Sequence, residues 1–140
     1  MNIGIPKERR PNEYRVGLSP AGVKLLLESG KHQCFVEHEA GRGAGFRDLE
    51  YERAGASIVY SPEEVFGRAD LMLKLTRPMK NEIEWLRPNS AIAAFLHLAS
   101  ARQDKLDLLL EKKITAIAYE QIQEADGTLP VLRPLSQVGG

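Results

Sequence analysis

Short apolar runs alternate with stretches of helical spacing along most of the chain. Asn2 to Pro6 reads as a first strand. Ser19-Pro20 then opens a helix, because a hydroxyl suits the N-cap and proline suits the first helical position. Val23, Leu26 and Leu27 form its apolar stripe, and Gly30 is a natural stop. Gln33 to His38 reads as a second strand. A glycine-rich loop from Ala40 to Phe46 leads to a short helix over Asp48 to Ala54, ended by Gly55. Ser57 to Tyr60 is a third strand, and Ser61-Pro-Glu-Glu64 is a capping box for a short helix through Phe66. Asp70 to Leu75 and Ala91 to Leu96 are a fourth and a fifth strand. Ser100-Ala-Arg-Gln103 predicts a second capping box. Its helix carries Leu106, Leu109 and Leu110 on one face and Lys112-Lys113 at the end its dipole favours. Thr115 to Tyr119 is a sixth strand.

Unbroken apolar strands suit a parallel sheet covered on both faces. Their alternation with helices predicts βαβ units and a doubly wound, mostly parallel α/β sheet. After Tyr119 the pattern lapses: Asp126-Gly127 is a turn signal, and Pro130 and Pro134 interrupt any regular element. Residues 1–125 therefore read as one domain, and residues 126–140 as a linker or crossover.

Composition narrows the function. The chain has 140 residues, 43% hydrophobic and 27% charged, which suits one globular domain with a real core. Lys plus Arg equals Asp plus Glu at 19 each, so nothing points to nucleic acid or an anionic membrane as partner. Cys34 is the sole cysteine and reads as a buried core residue. It excludes an internal disulfide and a Cys-rich metal site. No apolar run reaches the ~18–20 residues of a bilayer span, and the N-terminus has no apolar signal region. A cytoplasmic protein is the expectation.

Three side chains sit just past candidate strand ends: Arg15, Lys74 and His97. Ligands of open α/β sheets bind in the crevice beyond the carboxyl ends of the strands. Lys74 stands out, since an unpaired ammonium in an apolar strand is costly to bury. Gly41, Gly43 and Gly45 do not make the dinucleotide fingerprint. That fingerprint is G-x-G-x-x-G between a strand and a helix, whereas here the spacing is G-x-G-x-G and Arg42 interrupts it. These glycines read as a tight connection. His32 and His38 read as surface residues, Ser19 has no triad partners, no metal-ligand spacing is present, and Lys7-Glu8-Arg9-Arg10 reads as a solvated turn.

Three ordered blocks carry a resemblance: residues 4–23 (GIPKERRPNEYRVGLSPAGV), Leu73-Lys-Leu-Thr-Arg-Pro78 and Phe95-Leu-His-Leu-Ala99. With their spacing, they resemble the alanine dehydrogenase and nicotinamide nucleotide transhydrogenase family over the whole chain. Ala118-Tyr-Glu-Gln-Ile122 and residues 126–136 look more like the alanine dehydrogenase branch. Gly17 stands where the family usually has Ala, and Leu135 where alanine dehydrogenases often have Met.

The resemblance implies a Rossmann-like or flavodoxin-like substrate domain. Arg15 would bind the carboxylate of pyruvate or L-alanine, and Lys74 its carboxylate and carbonyl oxygens. His97 would act as acid and base. NAD would serve the complete enzyme through a dinucleotide-binding domain absent here, so no cofactor-binding residue is expected in this chain and catalysis by it alone is not expected. Self-association into a homo-oligomer is expected. Rival readings are a transhydrogenase alpha-subunit domain, a stand-alone keto or amino acid binding domain, and a split enzyme with its cofactor domain on another chain.

Overall fold

A computed structural model of the chain describes residues 1–121. Six parallel strands form one sheet in the order β3-β2-β1-β4-β5-β6, where β1 is Asn2–Ile5, β2 Gln33–Glu37, β3 Ser57–Val59, β4 Leu71–Leu73, β5 Ala91–Ala94 and β6 Thr115–Ala118. That is the order of the dinucleotide-binding doubly wound fold. The helices are α1 Pro20–Leu27, α2 Asp48–Arg53, α3 Pro62–Arg68, α4 Lys80–Trp85 and α5 Gln103–Glu111. The stretch assigned to a linker, 126–140, lies outside the described residues.

Strand alternation divides the core in two. Cys34 and Val36 of β2 join Ile5, Val23 and Tyr51 under α1 and α2. Phe35, between them, packs with Phe66, Met72, Ile83, Ile92 and Leu109 under α3, α4 and α5. β6 departs from the expected two-sided cover: Thr115, Ala116 and Ile117 are exposed, as suits an edge strand.

The capping signals hold in part. Ser19 Oγ accepts the Gly22 N–H at 3.1 Å and Ser61 Oγ accepts the Glu64 N–H at 3.2 Å. Ser100 does not cap α5. Its hydroxyl donates to the His97 carbonyl at 3.1 Å within a 3-10 turn at Leu98–Ser100, and Ala101 is extended, so the helix starts later. Lys112 does not serve its own helix either. Its ammonium donates to the Ile83, Glu84 and Leu86 carbonyls and closes the end of α4. No helix among the described residues is long and apolar enough to cross a membrane.

Candidate functional site

Strand order turns back between β1 and β4. The segments that follow β1, β4 and β5 meet beyond this point: residues 6–19, 74–79 and 95–97. Glu8 ties the first two together. Its carboxylate accepts from Lys74 Nζ at 3.0 Å, from the Leu75 and Thr76 N–H groups at 3.2 and 3.1 Å, and from the Thr76 hydroxyl at 2.6 Å. Lys74 Nζ also stands 3.2 Å from Glu82 Oε2. That second contact lacks hydrogen-bond alignment and acts as a charge pairing. The other Glu82 oxygen accepts the Met79 N–H at 2.9 Å, which starts α4.

The sequence points Lys74 at a ligand; the structure encloses it. Lys74 has no exposed surface, and neither has Glu82. The cost of burying the ammonium is offset by two carboxylates inside the protein rather than by a bound molecule. A direct contact of Lys74 with substrate has no support in this geometry. The segment it helps to fix does reach the crevice, through Leu75, Thr76 and Arg77.

Arg15 and His97 are brought together. They line one cleft of about 630 Å³ with Arg10, Thr76, Arg77 and Phe95. Arg15 is already engaged: Nε donates to Glu13 Oε2 at 3.0 Å and Nη2 to Glu13 Oε1 at 2.7 Å. This two-pronged grip is the one a guanidinium offers a ligand carboxylate. It holds the Glu13 carboxyl below its ordinary range, chiefly through the Arg15 side-chain hydrogen bonds.

His97 adopts left-handed backbone angles, φ 49° and ψ 48°, an uncommon conformation in which His is enriched. Its N–H donates to Glu120 Oε1 at 2.7 Å, and its carbonyl accepts from the Ser100 N–H and hydroxyl, each at 3.1 Å. Its backbone is thus held from both sides.

Two glycines position the Arg15 loop. A Cβ on Gly17 would lie 2.4 Å from the Leu73 carbonyl oxygen, so the loop presses on the end of β4. A Cβ on Gly43 would lie 2.8 Å from the Tyr14 carbonyl oxygen, so the glycine-rich connection supports the loop from its other side.

Sequence reasoning misplaces the run from Lys7 to Arg10. Glu8 is buried, Arg9 pairs with Glu37 and lies over the Trp85 ring, and Arg10 donates to the Arg77 carbonyl at 3.0 Å. The available signal is Lys74 itself, since a lysine within an apolar strand requires a buried carboxylate.

The β1–α1 connection, where a pyrophosphate would sit in this strand order, carries Glu8 and Glu13, each already paired with a cation of the protein, Lys74 and Arg15. The Gly22 amide of α1 is already bonded by Ser19.

The model of the alanine dehydrogenase/PNT N-terminal domain family matches residues 4–139. The chain belongs to this family. An alanine dehydrogenase of Geobacillus stearothermophilus is 43% identical over 140 residues, covering all of this chain and 37% of that relative. A solved L-alanine dehydrogenase superposes with a TM-score of 0.91 at 40% identity, over 97% of this chain and 37% of that one. The transhydrogenase of Sinorhizobium meliloti superposes at 0.77 with 31% identity, over 86% of this chain and 35% of that one. The chain thus spans little more than a third of the length of these family members.

Proposed function

We propose that the cleft binds a small 2-oxo acid, pyruvate, or the matching amino acid, L-alanine. In the complete enzyme this would serve NAD-dependent reductive amination and its reverse. Arg15 takes the carboxylate with its guanidinium fork, displacing Glu13. His97 faces the reacting carbon. Amination of a carbonyl expels its oxygen as water, so a proton must reach the leaving hydroxyl, and an imidazole titrates in the range where that transfer is efficient. Lys74 acts as a positioning residue: with Glu8 it fixes the segment that presents Thr76 and Arg77. The hydride step belongs to a nicotinamide held by a part of the enzyme outside this chain.

The observation that carries this reading is that Arg15 and His97 share one cleft whose other charged members, Arg10 and Arg77, are cationic. Isothermal titration of the 140-residue chain with pyruvate is the test. Saturable binding is expected, with a loss of tenfold or more in Arg15→Ala, an effect of about 1.4 kcal/mol or more. Equal heats from wild type and Arg15→Ala would remove the proposal.

A further inference from the structure

A second cavity adjoins the cleft. It encloses about 170 Å³ and shares Arg77 and Ser100 with the larger opening. Its floor is apolar, with Ile83, Leu96 and Leu109 all buried. Its rim is cationic, formed by Arg77, Arg102 and Lys105.

The charges here are poorly balanced. Asp104 is the acid at this end of α5, and it stands 3.5 Å from Arg102 and 3.7 Å from Lys80. Arg77, Lys105 and the neighbouring Arg10 form no ion pair among the described residues. Lys105 records the strain: burial first, then Arg10 and Arg77, push its ammonium below the ordinary lysine range. Like charges gathered over an apolar floor repel one another, and an anion entering between them relieves that repulsion.

We infer that this cavity is a second anion site, separate from the 2-oxo acid cleft, which takes a carboxylate bearing a short aliphatic body. The carboxylate sits among Arg77, Arg102 and Lys105, and the aliphatic part lies on Ile83, Leu96 and Leu109. Its size suits a molecule of a few carbon atoms. Because Arg77 and Ser100 border both cavities, the two ligands are coupled. An anion in the second site lowers the positive potential that the first ligand meets, and by reciprocity the effect runs both ways.

Sodium butyrate is the probe, with sodium acetate as its short control, titrated into the 140-residue chain with methyl NMR as the readout. Butyrate is expected to shift the Ile83, Leu96 and Leu109 methyls, to bind more tightly than acetate, and to do so in Arg15→Ala as well. Lys105→Gln is expected to weaken butyrate about fivefold while retaining a dispersed, folded methyl spectrum. Absence of shifts at these methyls, equal binding of acetate and butyrate, or butyrate binding that vanishes in Arg15→Ala and survives Lys105→Gln would each overturn the inference. Butyrate binding without pyruvate binding would remove the 2-oxo acid reading and leave this site standing; the reverse result would do the opposite.

Discussion

The Glu8 carboxylate, just past β1, accepts a hydrogen bond from the Lys74 ammonium, just past β4, at 3.0 Å and out of reach of solvent. This pair bridges the two strands between which the sheet order turns back, and the same carboxylate holds the backbone of Leu75 and Thr76. The floor of the cleft is therefore built from a buried charge network.

Removing Lys74 leaves two carboxylates buried without their cation, a situation that costs about 3–5 kcal/mol. Lys74→Met is expected to lower the urea unfolding midpoint sharply. Arg15→Ala, at an exposed position, is expected to leave the midpoint within about 0.5 kcal/mol of wild type. Equal midpoints for Lys74→Met and wild type would mean that the lysine is not structural.

Glu13 competes for the same fork as the proposed ligand. Glu13→Gln replaces a charged acceptor with a neutral one. A partly exposed pair of this kind is worth about 1 kcal/mol, so pyruvate affinity is expected to rise by about fivefold. The pH dependence has a definite sign. The Glu13 carboxyl is depressed in the folded protein, so its pairing is intact above the ordinary value of 4.5 and is lost as pH falls through the lowered value. The advantage of the Gln variant should hold from neutral pH down to 4.5 and shrink only as pH falls through the lowered value. Weaker binding by the Gln variant at neutral pH would show that Glu13 supports the ligand instead of blocking it.

Gly43 meets the backbone of Tyr14, next to Arg15, with no room for a side chain. Gly43→Ala is expected to displace the Arg15 loop, costing about 1–3 kcal/mol of stability and weakening pyruvate binding. Backbone amide shifts at Tyr14 and Arg15 check the first effect and isothermal titration the second. Unchanged shifts would mean that the loop does not lean on this glycine.

Much of this fold is legible in the chain because local rules and tertiary demands agree. Proline after a hydroxyl starts α1 and α3, and consecutive apolar residues mark β4 and β5. α4 escapes such reading, since Met79 is no usual cap and the helix is started by Glu82 reaching back to the Met79 N–H. The candidate site is legible only by halves. Arg15 and His97 line one cleft, as their places after β1 and β5 suggest. Lys74 obeys the same strand-end logic, yet its ammonium turns inward, because what a buried lysine contacts depends on which carboxylates tertiary packing supplies. Glu8, hidden in a run of mixed charge, supplies one of them.

Cys34 lies in β2 beneath α1 and α2, and burial pushes its thiol up to about 12 from an ordinary value near 9.0. Native protein at pH 8 is expected to resist thiol-directed reagents, with labelling only on unfolding. A raised pKa in the folded state contributes stability that is complete below the unfolded value and lost as pH climbs from about 9 toward about 12, at up to ~1.4 kcal/mol per pH unit. Cys34→Ala should flatten its share of that decline. Rapid labelling of native protein at pH 8 would contradict the buried placement.

A crystal structure of the chain soaked with pyruvate bears most directly on the convergence of Arg15 and His97. The ligand carboxylate is expected on the Arg15 guanidinium, with Glu13 displaced and the carbonyl turned toward the His97 imidazole. Pyruvate bound away from both side chains, or Arg15 still clasping Glu13 in the presence of saturating ligand, would contradict it.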